Sequence, residues 1–137
     1  MARLQYFLLA EYARVDAGGL LTVVGAGFDR VAVDALPGQL SLGCAARVLL
    51  DEGESEAQLS VAVRPPQGRG LAIASTVRPP VDAKPHLGHV GVIFAATFGL
   101  PVVAEGLYTF EVTVNGEERQ DASFTVELQS ATGQADA

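Results

Sequence analysis

The residues best equipped for chemistry fall in two short stretches. Asp51-Glu52-Gly53-Glu54-Ser55-Glu56 places four carboxylates within six residues, and oxygens of that kind suit a hard cation such as calcium. The spacing is not that of the calcium loop of helix-loop-helix sensors, and a solvated acidic hairpin loop accounts for the run as it stands. His86 and His89 lie three apart with Asp82 nearby, and imidazole with carboxylate can ligate a transition metal. Such a site needs a third and a fourth ligand from elsewhere in the fold. With two histidines in the chain, and its one cysteine, Cys44, set in an apolar run, loop histidines at a strand entrance are the plainer reading. No metal and no cofactor is expected.

Gly25-Ala26-Gly27 follows a predicted strand as a dinucleotide fingerprint would, but Arg30 stands where the third glycine belongs and no amphipathic helix follows. Glycines there fit a bulge or a close backbone approach. Ser41, Ser55, Ser60, Ser75, Ser123 and Ser130 lie in strands, in the acidic loop or in the tail, and none has a nucleophile-elbow context or a motif tying it to a histidine. The expectation is a protein that is not an enzyme.

Composition narrows the partners. The chain has 137 residues, is 49% hydrophobic and only 18% charged, far from the signature of disorder and long enough for one core. Its net charge of −7 opposes the attraction that nucleic-acid phosphates or anionic membranes exert, so neither partner is expected. A lone cysteine rules out an intrachain disulfide and reads as a small buried hydrophobe. The apolar stretch from Tyr6 to Ala10 is cut by Glu11 and Arg14, well short of a signal-peptide core or a membrane span. A cytoplasmic protein is expected.

The elements that must position these residues show period-two patterning. Leu40, Leu42, Cys44, Ala46, Val48 and Leu50 alternate with residues such as Gln39, Ser41 and Arg47, the mark of a half-buried strand. Ala57 to Val63, Tyr108 to Val114 and Phe124 to Leu128 repeat the pattern, with Leu128 expected on the inner face. Leu20 to Phe28, Leu71 to Val77 and Val90 to Phe98 are strand-like by composition. Gly and Pro separate these runs at Gly18-Gly19, Pro37-Gly38, Gly53, Pro65 to Gly70, Pro79 to Gly88, Gly99 to Pro101 and Asn115-Gly116. Arg64-Pro65-Pro66 and Arg78-Pro79-Pro80 flank one run, and both are expected to end strands, since proline cannot donate to a ladder. Residues 4–15 also fit a helix by spacing, through Leu4, Phe7, Leu8, Tyr12 and Val15, whereas the reversal at Asp16 to Gly19 favours a strand.

About eight strands at roughly 8–12-residue spacing predict an all-β protein, an antiparallel β-sandwich of Ig-like or C2-like type with little or no helix. One domain over residues 1–128 and a disordered tail over 129–137 are expected. Asn115-Gly116 signals a hairpin, but a strict two-residue loop would set Val112 opposite Arg119 and Phe110 opposite Asp121, so an extra residue is expected within Glu117 to Asp121.

Tyr6, Leu9-Ala10, Asp16, Gly19, Leu20 and Gly25, with the later Gly106-x-Tyr108-x-Phe110 and Asn115-Gly116, resemble a family of short bacterial proteins catalogued only as a domain of unknown function. The resemblance covers most of the chain. It implies a compact β-sandwich and supplies no activity and no site residue.

The function expected is a non-enzymatic protein-binding or structural module, its partner another protein or a second copy of itself, on the strength of outward apolar positions such as Ala45, Leu49 and Ala62 and of sandwich edges. The alternative is a small-ligand or cation-binding module built on acidic end loops. If strands alternate up and down, the connections at 16–19, 51–56, 78–88 and 115–121 emerge at one end, and Asp51, Glu52, Glu54, Glu56, Glu117 and Glu118 become the candidate surface.

Overall fold

The alternating runs become strands whose apolar faces meet in one core. The computed structural model describes residues 1–129. In it β1 (Arg3–Ala10), β5 (Gly38–Asp51) and β8 (His89–Val102) form one sheet in the order β1-β5-β8. A second sheet has the order β4-β10-β9-β6-β7, from β4 (Arg30–Val33), β6 (Ala57–Arg64), β7 (Leu71–Val77), β9 (Gly106–Val114) and β10 (Glu118–Leu128). β2 (Tyr12–Val15) and β3 (Leu21–Val24) pair as a separate ribbon. The fold is all-β, and no described residue is helical.

Facing residues of the two larger sheets bury together. Leu42, Val48 and Leu50 of β5 meet Leu59 and Val61 of β6, Phe110 and Val112 of β9, and Phe124 and Val126 of β10 in one cluster, with Leu40 packed against it. Phe110 bridges the sheets, its ring centroid 6.4 Å from those of both Phe7 and Phe98. Tyr108 is fully buried, stacks on Phe124 at 5.8 Å, and donates its hydroxyl to the Ala104 carbonyl at 2.8 Å. That bond satisfies the polar end of a buried ring where the chain crosses from β8 to β9. Cys44 is buried as expected. Desolvation pushes its thiol up to about 11, against the smaller opposing pull of a hydrogen bond with the Ala96 backbone.

Several expectations are corrected by the register. β4 pairs with β10 in parallel, so the assembly is not purely antiparallel, and Arg30 to Val33, outside every run expected to be a strand, is one. Leu20 to Phe28 contributes only Leu21 to Val24 as strand. Gly99 to Pro101, taken as a breaker, lies inside β8; β8 is a sheet edge, where a proline without an N–H is tolerated. Leu128, at the end of β10, is 43% exposed. Gln129, assigned to the tail, still donates its N–H to the Val33 carbonyl at 2.8 Å, and the rest of the expected disordered segment lies outside the described residues.

The ambiguity of residues 4–15 has a structural cause. Leu4 pairs with Val48 but Tyr6 with Arg47, so Gln5 is an extra residue in a bulge and the inward set runs Leu4, Phe7, Leu9 instead of alternating strictly. The chain then bends at Glu11 and leaves the ladder, and β2 crosses onto the outer face of the first sheet. Gly43 admits it: a Cβ there would lie 2.7 Å from Ala13 N and 2.8 Å from Tyr12 C. Ala10, Ala13 and Ala45 are buried at this contact, outside the main core. The outward position Ala45 is therefore covered, and Leu49, on the same face toward the start of β8, is buried as well, which removes two of the three apolar residues expected to face a partner.

The β9–β10 turn resolves as the register argument required. Glu117 N–H closes on the Val114 carbonyl at 3.1 Å, and Val114 pairs with Glu118, so Glu117 is the inserted residue and Phe110 faces Ala122. On the outer side of this hairpin Arg119 binds both Asp121 and Glu111. Its hydrogen bond and charge hold the Asp121 carboxyl below the usual range.

Candidate functional site

The acidic connections do gather. His89 pairs with Asp51, Val77 with Ala57, and Asn115 exchanges hydrogen bonds with Gln58, which brings 51–56, 78–88 and 115–117 to one end. The 16–19 reversal belongs to the ribbon on the outer sheet face, and no hydrogen bond or ion pair ties it to that end among the described residues, so the expected set of four is three.

Within that end three of the carboxylates, Asp51, Glu54 and Glu56, are already engaged. Asp51 and Glu54 meet the N-terminal ammonium of Met1, and Glu54 also accepts the Asp51 and Ala2 N–H groups at 2.7 and 3.2 Å. Glu56 pairs with Arg78 at 3.3 Å. Glu52 and Glu117 are exposed, and Glu118 opens β10. Among the described residues no group of three or more His, Cys, Asp and Glu side chains is arranged to hold a metal. His86 and His89 face each other across a tight turn, with His86 N–H on the His89 carbonyl at 2.7 Å and the reverse at 3.1 Å.

That turn has a leucine in an unfavourable place. Leu87 sits at φ 52° and Gly88 at φ 83°, the left-handed pair of a type I′ hairpin turn, which Asn-Gly suits and leucine does not. Leu87 is 85% exposed, so little packing is lost on replacing it. Leu87→Asn should stabilise the protein by about 1 kcal/mol, read as a raised urea midpoint with unchanged slope; an unchanged or lowered midpoint would refute the strain.

Another feature with the dimensions of a binding site is a groove of about 660 Å³ at the meeting of β4, the start of β5 and the ribbon. It exists because β1 leaves the ladder at Ala10, opposite Gly43, while β5 continues back to Gly38, paired with β8 alone. Among the described residues Gln39 to Leu42 have no backbone partner on their other side. Among the described residues β4 is likewise an edge, its ladder shared with β10 alone. Arg30, Val31 and Ala32 line the groove in succession, as do Leu40, Ser41 and Leu42. Successive strand residues point to opposite faces, so a groove touching three in a row runs along the strand edge.

The far wall comes from the ribbon. Tyr12 and Val24 are 42% and 55% exposed, and Glu11 is tied to the opposite strand by its N–H on the Val24 carbonyl at 2.9 Å. A Cβ at Gly25 would overlap the Glu11 carboxylate, and φ there is 68°. Gly25 thus serves a close approach, whereas Gly27, at φ 91°, has open space around it. Arg30 is neutralised by Glu127, which leaves a largely apolar channel in which, among the described residues, Glu11 is the one acid without a partner. Sequence reasoning missed this site. Its usable signal was Arg30-Val31-Ala32-Val33, a four-residue alternation between turn residues.

A family model matches residues 5–127, nearly the whole described chain and every element that builds the groove. The chain belongs to DUF6941, a family of unknown function. No curated protein matches it. No helix among the described residues is long and apolar enough to cross a membrane. Family membership supplies no activity for the groove or the acidic end.

Proposed function

We propose that this DUF6941 protein is a non-enzymatic, cytoplasmic protein-binding module that holds an extended apolar segment of a partner protein as an added strand along the open edge of β5. The single observation that carries this is the coincidence of unpaired backbone at residues 39–42 with exposed apolar side chains, Tyr12 and Val24, across the same groove. In strand addition the main-chain bonds give affinity and the flanking side chains choose the sequence. Edge strands left open are hazards that proteins keep short. Here the open stretch spans four residues, enough for a peptide and too few for indiscriminate sheet growth. The lining, largely apolar apart from Glu11 and the Glu127-paired Arg30, selects a predominantly apolar segment.

Panning a displayed library of random peptides against the folded chain tests this. Selected peptides are expected to be apolar at alternate positions, to slow amide exchange at residues 39–42, and to lose binding to Val24→Lys, a change at an exposed wall position that leaves the melting temperature unaltered. Peptides that protect other amides, or that bind Val24→Lys equally well, would overturn the reading. So would a dimer in sedimentation protected at the same amides, since the occupant would then be the chain itself.

A further inference from the structure

A second cleft, of about 340 Å³, opens on the outer face of the β1-β5-β8 sheet near the start of β8. Its ionisable lining is Arg3, Arg47, His86 and His89, with no acidic residue. In a chain with 16 acidic and 9 basic residues this is a local reversal of charge. Arg30, Arg64, Arg78 and Arg119 each hold a carboxylate, whereas Arg3 and Arg47 have none among the described residues. Among the described residues the Arg47 guanidinium donates only to the side chain of Gln5, the extra residue of the β1 bulge. Its guanidinium lies over Gly91, where a Cβ would overlap it. The bulge and the glycine together set one cation in place.

We propose that this cleft binds the oxyanion of a small molecule, a phosphate or carboxylate group, between Arg3 and Arg47. A guanidinium presents its donors in a planar fork that matches such groups, and two unpaired forks in a half-enclosed cleft keep their charge for a ligand. The cleft has the lower range of small-ligand dimensions, so the oxyanion would be carried by a compact metabolite. His86 and His89 close the side nearest the strained Leu87 turn. Asp51 Oδ1 lies 3.0 Å from His89 Nδ1 without hydrogen-bond alignment, so one carboxylate adjoins the site.

The test is titration of the isotope-labelled full chain with inorganic phosphate and, separately, acetate at constant ionic strength, followed by amide shifts. Saturable shifts confined to Gln5, Arg47, Leu87 and Gly91 are expected. Tighter binding of phosphate or of acetate assigns the oxyanion class. Arg47→Gln should weaken binding about tenfold or more, and Gly91→Ala should do so by displacing the same guanidinium, while Arg69→Gln at the opposite end changes nothing. If Gly91→Ala fails to fold, Arg47→Gln alone decides. Absence of saturable shifts up to about 50 mM of either anion, or equal affinity in Arg47→Gln, overturns the proposal.

Discussion

Phe110→Ala is expected to lower the unfolding free energy by about 3–5 kcal/mol, which would consume much of the stability of an ordinary domain. The ring is fully buried and stands at the junction of both sheets, touching Phe7 and Phe98 on one side and Phe124, at 6.1 Å, on its own. Deleting it removes apolar contact from three directions, and neighbours anchored in two hydrogen-bonded sheets can close the void only in part. Urea denaturation followed by circular dichroism measures the loss. A midpoint like that of the unaltered protein would show the core to be wrongly placed. Leu128→Ala is the control: at 43% exposure it should change stability by no more than about 0.5 kcal/mol, although sequence alternation alone ranks it with Phe124 and Val126.

Leu128 shows where the legibility of this fold ends. Alternation identifies a strand's two faces wherever a whole strand is half-buried, so the core positions of β5, β6 and β9 could be read directly from Leu42 to Leu50, Leu59 to Val63 and Tyr108 to Val114. It carries no information on how far the facing sheet extends, and the last residue of β10 runs past it. Bulges erase the period altogether, as Gln5 does in β1, and there the pattern imitates a helix. Parallel pairing of β4 with β10 was not legible either, because it joins segments some ninety residues apart and β4 is four residues long. The acidic end was legible in part, since chain direction fixes which turns share an end. What neutralises it was not, because Arg78 and the N-terminal ammonium reach Glu56 and Asp51 only in three dimensions. The groove is made of what the sequence leaves unpaired, and nothing in a residue's type records which side of its backbone lacks a neighbour.

Gly43→Val should have the second largest effect, and a different one. A side chain at this position meets backbone atoms, Ala13 N at 2.7 Å and Tyr12 C at 2.8 Å, which cannot rotate away as a flexible side chain would. The β2–β3 ribbon must lift, at a cost of about 1–3 kcal/mol for overpacking. With it go the two bonds that fasten the ribbon to β8, Ala13 N–H to Thr97 Oγ1 at 3.2 Å and Thr97 hydroxyl to the Ala13 carbonyl at 3.0 Å. The core between the two large sheets does not involve Gly43, so the loss should be local. Amides of residues 12–24 should exchange faster while those of β6, β9 and β10 keep their protection. The ribbon carries Tyr12 and Val24, so peptides selected on the groove should lose affinity with it even though the β5 edge remains intact. Thr97→Val separates the two causes, because it removes the hydrogen bonds and leaves the close approach at Gly43 in place. If Gly43→Val exchanged like the unaltered protein throughout, the ribbon would not lie on the outer face of the sheet, and the groove would have no second wall.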